Sequence, residues 1–302
     1  VTIAEARKNS FSPDWSRERV AAPSFLGVKS FDRFPLEEIS ERIDWSPLFH
    51  TWELRGHYPQ ILSDKTFGDA AAKLFRDAEQ LLRKIISEKL LTARGVIGFF
   101  AANRVGDDVE VYTDASRSKK LATFHFLRQQ MLKSSPDYNA CLADLVASKE
   151  SGVADYLGAF AVTTGIQIEP LLEKFEKDHD DYNSIMTKAL ADRLAEAFAE
   201  KMHELVRKQF WGYAPDEKLS AEDLIVERYR GIRPAPGYPA CPDHTEKAIL
   251  FDLLDATKNA GIKLTENFAM TPASSVSGFY FSHSASKYFA VGKIQKDQVA
   301  DY

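Results

Sequence analysis

Four of the chain's 13 prolines fall within the ten residues Arg233–Pro242, and no other stretch limits the fold so tightly. Each proline fixes φ near −65° and removes an N–H. Each also pushes the residue before it out of the helical region. The segment Arg233-Pro-Ala-Pro-Gly-Tyr-Pro-Ala-Cys-Pro-Asp-His-Thr-Glu-Lys247 therefore excludes a helix and a central strand. It predicts a stiff, extended loop whose carbonyls are free to accept hydrogen bonds. Gly237 is the point where such a loop can turn with positive φ or let a ligand approach the backbone. Arg233 opens it with a permanent cation suited to a carboxylate or phosphate, and Tyr238 adds an aromatic face with a polar tip. Asp243 with Glu246 three positions on has capping-box spacing and predicts a helix start. A low-entropy loop bounded by an arginine and a helix N-terminus suits a pre-organised small-molecule site. A surface connector with a solvated Arg233 is the competing reading, and composition weighs the two evenly.

Periodicity organises the rest. Residues 1–24 read as an incoming arm that wraps onto the body. Leu36, Ile39 and Ile43 have helical spacing. Asp44 stands before a new helix start, either capping it or facing a cationic ligand group, and both hold only if one oxygen caps while the other stays free. Residues 67–90 are an amphipathic helix. Residues 93–113 form a hairpin, 121–127 a third strand and 155–164 another. Residues 182–210 are the longest helix, with Met186, Leu190, Leu194, Ala197, Phe198, Met202 and Leu205 on one apolar stripe. Asp192, Glu196 and Glu200 follow at i, i+4 and i+8, read as a solvated acidic face or as a docking edge for a cationic or imidazole partner. After a short helix near 220–228 come the proline loop, a helix over 243–258, strands at 264–268 and 276–282, and a last strand over 286–294. There Tyr288 and Phe289 point to opposite faces. Strands arranged in hairpins predict an α+β class: one domain with a twisted, mainly antiparallel sheet flanked by long helices. A boundary near 175–180 is the alternative.

The chain has 302 residues, 44% hydrophobic and 27% charged, with a net charge of −5. That balance carries no basic footprint for nucleic acid, and no apolar run is long enough for a membrane helix. Cys141 and Cys241 lack a CxxC partner, so neither a disulfide framework nor a zinc knuckle is expected, and a reducing cytoplasm fits. The first residue is not Met, which predicts a fragment of a longer chain. No GxSxG, HExxH, P-loop or GxGxxG occurs. The seven histidines show no metal-ligand spacing, and His244, placed in the first turn of a helix, is expected to be neutral and locally bonded.

Several segments together resemble one family. They are Ile43-Asp-Trp-Ser-Pro-Leu-Phe49, Ala93-Arg-Gly-Val-Ile-Gly-Phe-Phe100, Leu127-Arg-Gln-Gln130, His179-Asp-Asp-Tyr182, Lys188–Phe198, the proline loop and Ser286-Lys-Tyr-Phe-Ala-Val291. In this order they are similar to the C-terminal activation domain of cobalamin-dependent methionine synthase, over nearly the whole chain. The resemblance implies residues 1–24 as an arm and 25–302 as an S-adenosylmethionine-binding domain with its C-terminal end cut short. It implies a part of a multidomain 5-methyltetrahydrofolate–homocysteine methyltransferase that restores methylcobalamin from cob(II)alamin. The electron would come from flavodoxin or a flavoprotein reductase. Cobalamin would be carried by a neighbouring domain of the same polypeptide and zinc only by another domain, leaving no metal site and no catalytic acid or base here.

By the same resemblance Arg233 pairs with the ligand carboxylate and Asp44 lies near its amino end. Ala235 and its neighbour Gly237 offer backbone to the adenosyl part, Tyr288 and Phe289 line the ligand, and Glu227 is a further contact. Tyr238 faces the corrinoid, His244 lies on the same side, and Asp192 with Glu196 meets a histidine of the partner domain. A protein-interaction cap without ligand chemistry is the alternative function, and an independent small-molecule methyltransferase is a third.

Overall fold

The computed structural model describes residues 1–133 and 136–302. An arm helix α1 (Ile3–Lys8) leads to β1 (Gly27–Phe34), then α2 (Leu36–Ser40), α3 (Ser46–Thr51) and the long α4 (Gly68–Ser87). Next come β2 (Thr92–Val105), β3 (Asp108–Tyr112), β4 (Lys120–His125) and β5 (Asp155–Ile166). Helices α5 (Ile168–Lys177) and α6 (Asp181–Leu205) follow, and α6 runs into a π turn over Val206–Phe210. The chain closes with α7 (Ala221–Ile225), α8 (Glu246–Leu254), α9 (Ala256–Ala260), β6 (Lys263–Leu264), β7 (Met270–Thr271), β8 (Ser275–Tyr280) and α10 (Lys296–Asp301).

Six strands make the main sheet in the order β4-β3-β2-β5-β8, with β1 beside β2. Every strand pair in it is antiparallel. Strand β2 is long enough to pair β1 along its first half and β3 at its end, while β5 takes its other edge from Thr92 to Ala102. That central place explains the apolar run Val96–Phe100: side chains alternate faces, and here both faces are covered. Ile97, Phe99, Phe160 and Val162 pack with α4 and α6. Val96, Phe100, Leu157, Ala159 and Ala161 pack with α8, α9 and the aromatic Phe279 and Phe281. The fold is α+β and single-domain, and both long helices lie on one face.

Three local expectations are corrected. Residues 286–294 form no strand, because the free edge of β8 is already taken. Phe279 N–H donates to Pro234 O at 2.9 Å, and Ile232 and Phe281 exchange two bonds at 3.0 Å. The proline loop thus lies along the sheet edge, and Gly278 permits it: a Cβ there would stand 2.5 Å from Pro234 O. The loop's carbonyls are accordingly not free, since those of Pro234, Ala235, Tyr238 and Pro239 all accept protein N–H groups. The capping box also fails to form. Asp243 takes the N–H and hydroxyl of Thr245 in a turn, the helix begins only at Glu246, and Glu246 accepts from His125 N–H instead.

Candidate functional site

Where α6 passes the turn after α2, the end of α7 and the start of the proline loop, the walls enclose a cleft of about 210 Å³. Asp44 and Arg233, 189 positions apart in the chain, line the same cleft with Glu41, Arg42, Arg193, Glu196, Glu200, Glu227 and Tyr229. Five carboxylates against three guanidinium groups leave the lining with two excess negative charges. Such a surface favours a ligand with positive charge of its own.

Asp44 uses one oxygen to hold the Ser46 N–H at 2.9 Å, ahead of α3. Its second oxygen has no hydrogen-bond partner among the described residues. Glu227 occupies a costlier place. It ends α7 in a Schellman motif, with Arg228 N–H on Asp223 O and Glu227 N–H on Leu224 O, and its φ is +57°. Glycine is the usual residue there because a Cβ is strained at positive φ. A glutamate held at that position, on the rim of the cleft, is backbone strain next to a carboxylate. Burial at the rim raises the Glu227 pKa, and Arg233 works against that rise.

Arg233 is held from one side only. Its Nη1 lies 2.7 Å from Glu200 Oε2 and donates to Tyr229 OH at 3.0 Å and to His203 Nδ1 at 3.3 Å. Its Nε and Nη2 have no protein acceptor among the described residues, and the residue lines the cleft. Burial works against its charge, but Glu200 and the facing tyrosines more than offset this and keep the cation. Beneath lies a polar cluster. Arg207 is fully buried and gripped by Glu217 at 2.7–3.0 Å, and its guanidinium sits 4.5 Å from the Tyr229 ring centre, with Arg233 at 5.7 Å. His203, buried between the two arginines, is held well below the ordinary histidine pKa, first by burial and then by those cations. A neutral ring can accept from Arg233 at Nδ1 while Nε2 faces Tyr213 OH at 3.3 Å. Glu200 Oε1, Arg207 Nη1 and the Tyr280 hydroxyl are buried without a hydrogen-bond partner.

The other singled-out residues lie around this cleft and do not line it. Tyr288 OH accepts the Arg233 N–H at 3.0 Å and meets Tyr229 OH at 3.1 Å, so it braces the site from behind. Phe289 packs on the second core, and Ala235 is buried two residues beyond Arg233. Gly237 has φ +97°, and a Cβ there would overlap the His244 ring, so glycine is required twice over. His244 precedes α8 and takes a hydrogen bond from Lys247 Nζ at 2.9 Å. Tyr238 is 53% exposed and reaches Glu196 at 3.4 Å. Asp192 is exposed on α6 and pairs with Arg193.

The acidic stripe on α6 is therefore not uniformly solvated, because Glu200 is only 8% exposed. Glu200, His203 and Arg207 form a buried polar group that the apolar stripe of α6 does not announce. Their i, i+3, i+7 spacing, which puts three polar residues on one helix face beside an apolar stripe, was the available signal. Among the described residues no group of His, Cys, Asp and Glu is arranged to hold a metal ion, and no helix is long and apolar enough to cross a membrane.

Known proteins place this architecture. A solved structure described as the MetH reactivation domain bound to AdoHcy matches with a TM-score of 0.97 and 56% sequence identity, covering 100% of this chain and 92% of that one. The family described as "Vitamin B12 dependent methionine synthase, activation domain" matches residues 35–302. With that match spanning most of its length and the fold agreeing throughout, the chain belongs to the vitamin B12-dependent methionine synthase activation domain family.

Proposed function

We propose that the cleft holds the amino-acid end of S-adenosylmethionine, and that this chain presents the methyl donor to a cobalamin carried by a neighbouring domain of the same polypeptide. The observation that carries the reading is that Arg233, with no protein acceptor on its Nε/Nη2 edge, and Asp44, with one unpartnered oxygen, line the same acidic cleft. A guanidinium edge takes a carboxylate in two parallel bonds. A free aspartate oxygen suits an α-ammonium group, and the negative excess of the lining suits a sulfonium. The AdoHcy bound in the related structure is the product form of the same ligand class.

A volume of about 210 Å³ is below the roughly 300 Å³ at which drug-sized sites begin. The cleft therefore takes the amino-acid portion. The adenosyl portion lies outside it, along Ala235, Gly237, Tyr288 and Phe289, with Glu227 at the rim. Exposed Tyr238 faces the corrinoid with His244 on that side, and Asp192 and Glu196 receive a histidine from the cobalamin domain. The chemistry supplied when donor and corrinoid are both bound is transfer of one methyl group from sulfonium sulfur to reduced cobalt. It leaves S-adenosylhomocysteine, and the electron comes from flavodoxin or a flavoprotein reductase. The chain's own residues bind and orient; no proton has to move, so the missing acid–base signatures agree with a site that works by positioning.

Isothermal titration of this chain with S-adenosylmethionine and with S-adenosylhomocysteine is the test. Saturable heat with both supports the reading. Silence with both, in a chain that melts cooperatively, removes it and leaves an interaction cap.

A further inference from the structure

We propose that Glu200 is a specificity-determining residue: by neutralising Arg233 at its Nη1, it makes the cleft accept zwitterionic amino-acid ligands and refuse simple carboxylates. The inference rests on the reading that Arg233 takes the ligand's carboxylate. A cleft built only to catch a carboxylate would leave its arginine unpaired and draw on the full charge. This one does the opposite. Glu200 Oε2 lies 2.7 Å from Arg233 Nη1, and Glu200, only 8% exposed, lines the cleft beside it.

Arg207 does not restore a positive surplus, since Glu217 holds it at 2.7–3.0 Å. Two arginines and two glutamates thus cancel; His203 between them is held well below its ordinary pKa and the Tyr229 phenol well above, so both are neutral. A ligand carboxylate arriving at Arg233 makes this buried group net negative. It does so beside Glu41, Asp44, Glu196 and Glu227, four carboxylates that outnumber the two remaining guanidinium groups of the lining, Arg42 and Arg193. The donor edge is present and the geometry fits, yet the electrostatic gain is small unless the ligand brings a cation. An α-ammonium group one carbon from the carboxylate does this within reach of the same acids. Selection here works by building a penalty against the wrong ligand.

Glu200 Oε1 supports the assignment. It lies 3.6 Å from Arg207 Nη1, and neither atom has a hydrogen-bond partner. A carboxylate kept only to anchor α6 would satisfy both oxygens. This one is committed to Arg233 through a single oxygen.

The experiment measures the affinity of this chain for three ligands: S-adenosylhomocysteine, its analogue lacking the α-amino group, and its analogue lacking the α-carboxylate. Wild type is compared with Glu200→Gln. Wild type is expected to bind the deaminated analogue at least about 100-fold more weakly than the zwitterion. Glu200→Gln, which keeps shape and removes charge, is expected to close that gap by about tenfold or more, without tighter binding of the decarboxylated analogue. A wild type that takes the deaminated analogue as tightly as the zwitterion overturns the proposal, and so does a ratio unchanged in Glu200→Gln. Should Glu200→Gln fail to melt cooperatively, Glu200→Asp, which draws the charge back by one methylene, is read in the same series with a smaller change in the same direction. A wild type that binds none of the three removes the underlying function instead, so the two failures are told apart.

Discussion

Arg128 and Arg233 are both withdrawn from water, and the protein treats them in opposite ways. Arg128 is 1% exposed and every nitrogen of its guanidinium is taken. Nε and Nη2 donate to Asp107 at 2.9 and 2.6 Å, both terminal nitrogens donate to Asp144 at 2.6 Å, and Nη1 also reaches Asn139 O at 2.7 Å. Its backbone is clasped by the Gln298 amide from α10, while Arg7 of α1 shares Asp107. Arg233 crowds its contacts onto Nη1 and leaves the other edge open. The buried atoms left without partners differ in the same way. Glu200 Oε1, Arg207 Nη1 and Tyr280 OH lie in the polar cluster behind Arg233, whereas none of the acids and amides holding Arg128 has such an atom among the described residues. A guanidinium satisfied all round is a fastener, here for both ends of the chain. One satisfied on a single edge, lining a cleft, is the one we propose takes the ligand.

The comparison breaks first on stability. Arg128→Met strands two buried carboxylates and is expected to cost about 3–5 kcal/mol in urea unfolding. Arg7 and Arg104 soften that toward the lower figure, since each still pairs with one of the two acids at 2.8 Å. Ligand affinity per folded molecule should stay within about twofold, because nothing in this cluster touches the cleft. A large loss of affinity would mean that the fastener and the site are coupled. Arg233→Ala is expected to show the converse pattern. Calorimetry should find S-adenosylhomocysteine binding weakened by about 2–5 kcal/mol, the range for removing one partner of a buried charge pair. Stability should fall less than for Arg128→Met, because Glu200 can close the 3.6 Å gap to Arg207. Binding retained within a few-fold would sink the assignment of Arg233.

Much of this was legible in the sequence, for reasons that can be named. The apolar run at Val96–Phe100, the stripe from Met186 to Met202 and the four prolines after Arg233 each record a local constraint that outlasts any tertiary context. What was not legible depended on a neighbour far along the chain. Tyr288 and Phe289 alternate as a strand should, but the sheet edge they would have joined was filled by Ile232 and Pro234. Asp243 and Glu246 have capping-box spacing, yet Glu246 is drawn to the His125 N–H from β4. Glu200 reads as the third member of a wet acidic row until the proline loop is laid over it. The proline loop and the helix start brought Arg233 and Asp44 forward and the resemblance gave each an end of the ligand; burial of the polar trio Glu200, His203 and Arg207 is what explains how Arg233 is held.

The same contrast extends to the acids, and the smallest effect tests it. Glu200 sits between two guanidinium groups, whereas Glu246, 3% exposed, meets only the His125 N–H at 3.1 Å and Tyr302 OH at 3.4 Å, with Asp243 nearby. Burial, aided by Asp243, pushes Glu246 from the ordinary 4.5 up to about 7 against the pull of those hydrogen bonds. The folded chain then binds this proton more tightly than the unfolded chain does. Where the folded state holds more protons, stability falls as pH rises. The contribution of Glu246 is therefore fully present below about pH 4.5 and is lost as pH climbs through about 7. Glutamine mimics the protonated acid, so Glu246→Gln should match wild type near pH 5 and exceed it by about 1–3 kcal/mol at pH 8, read from urea unfolding at each pH. The opposite sign, a Glu246→Gln variant weaker at pH 8, would mean that the carboxylate is held ionised by His125, and that a buried glutamate in this fold needs no arginine.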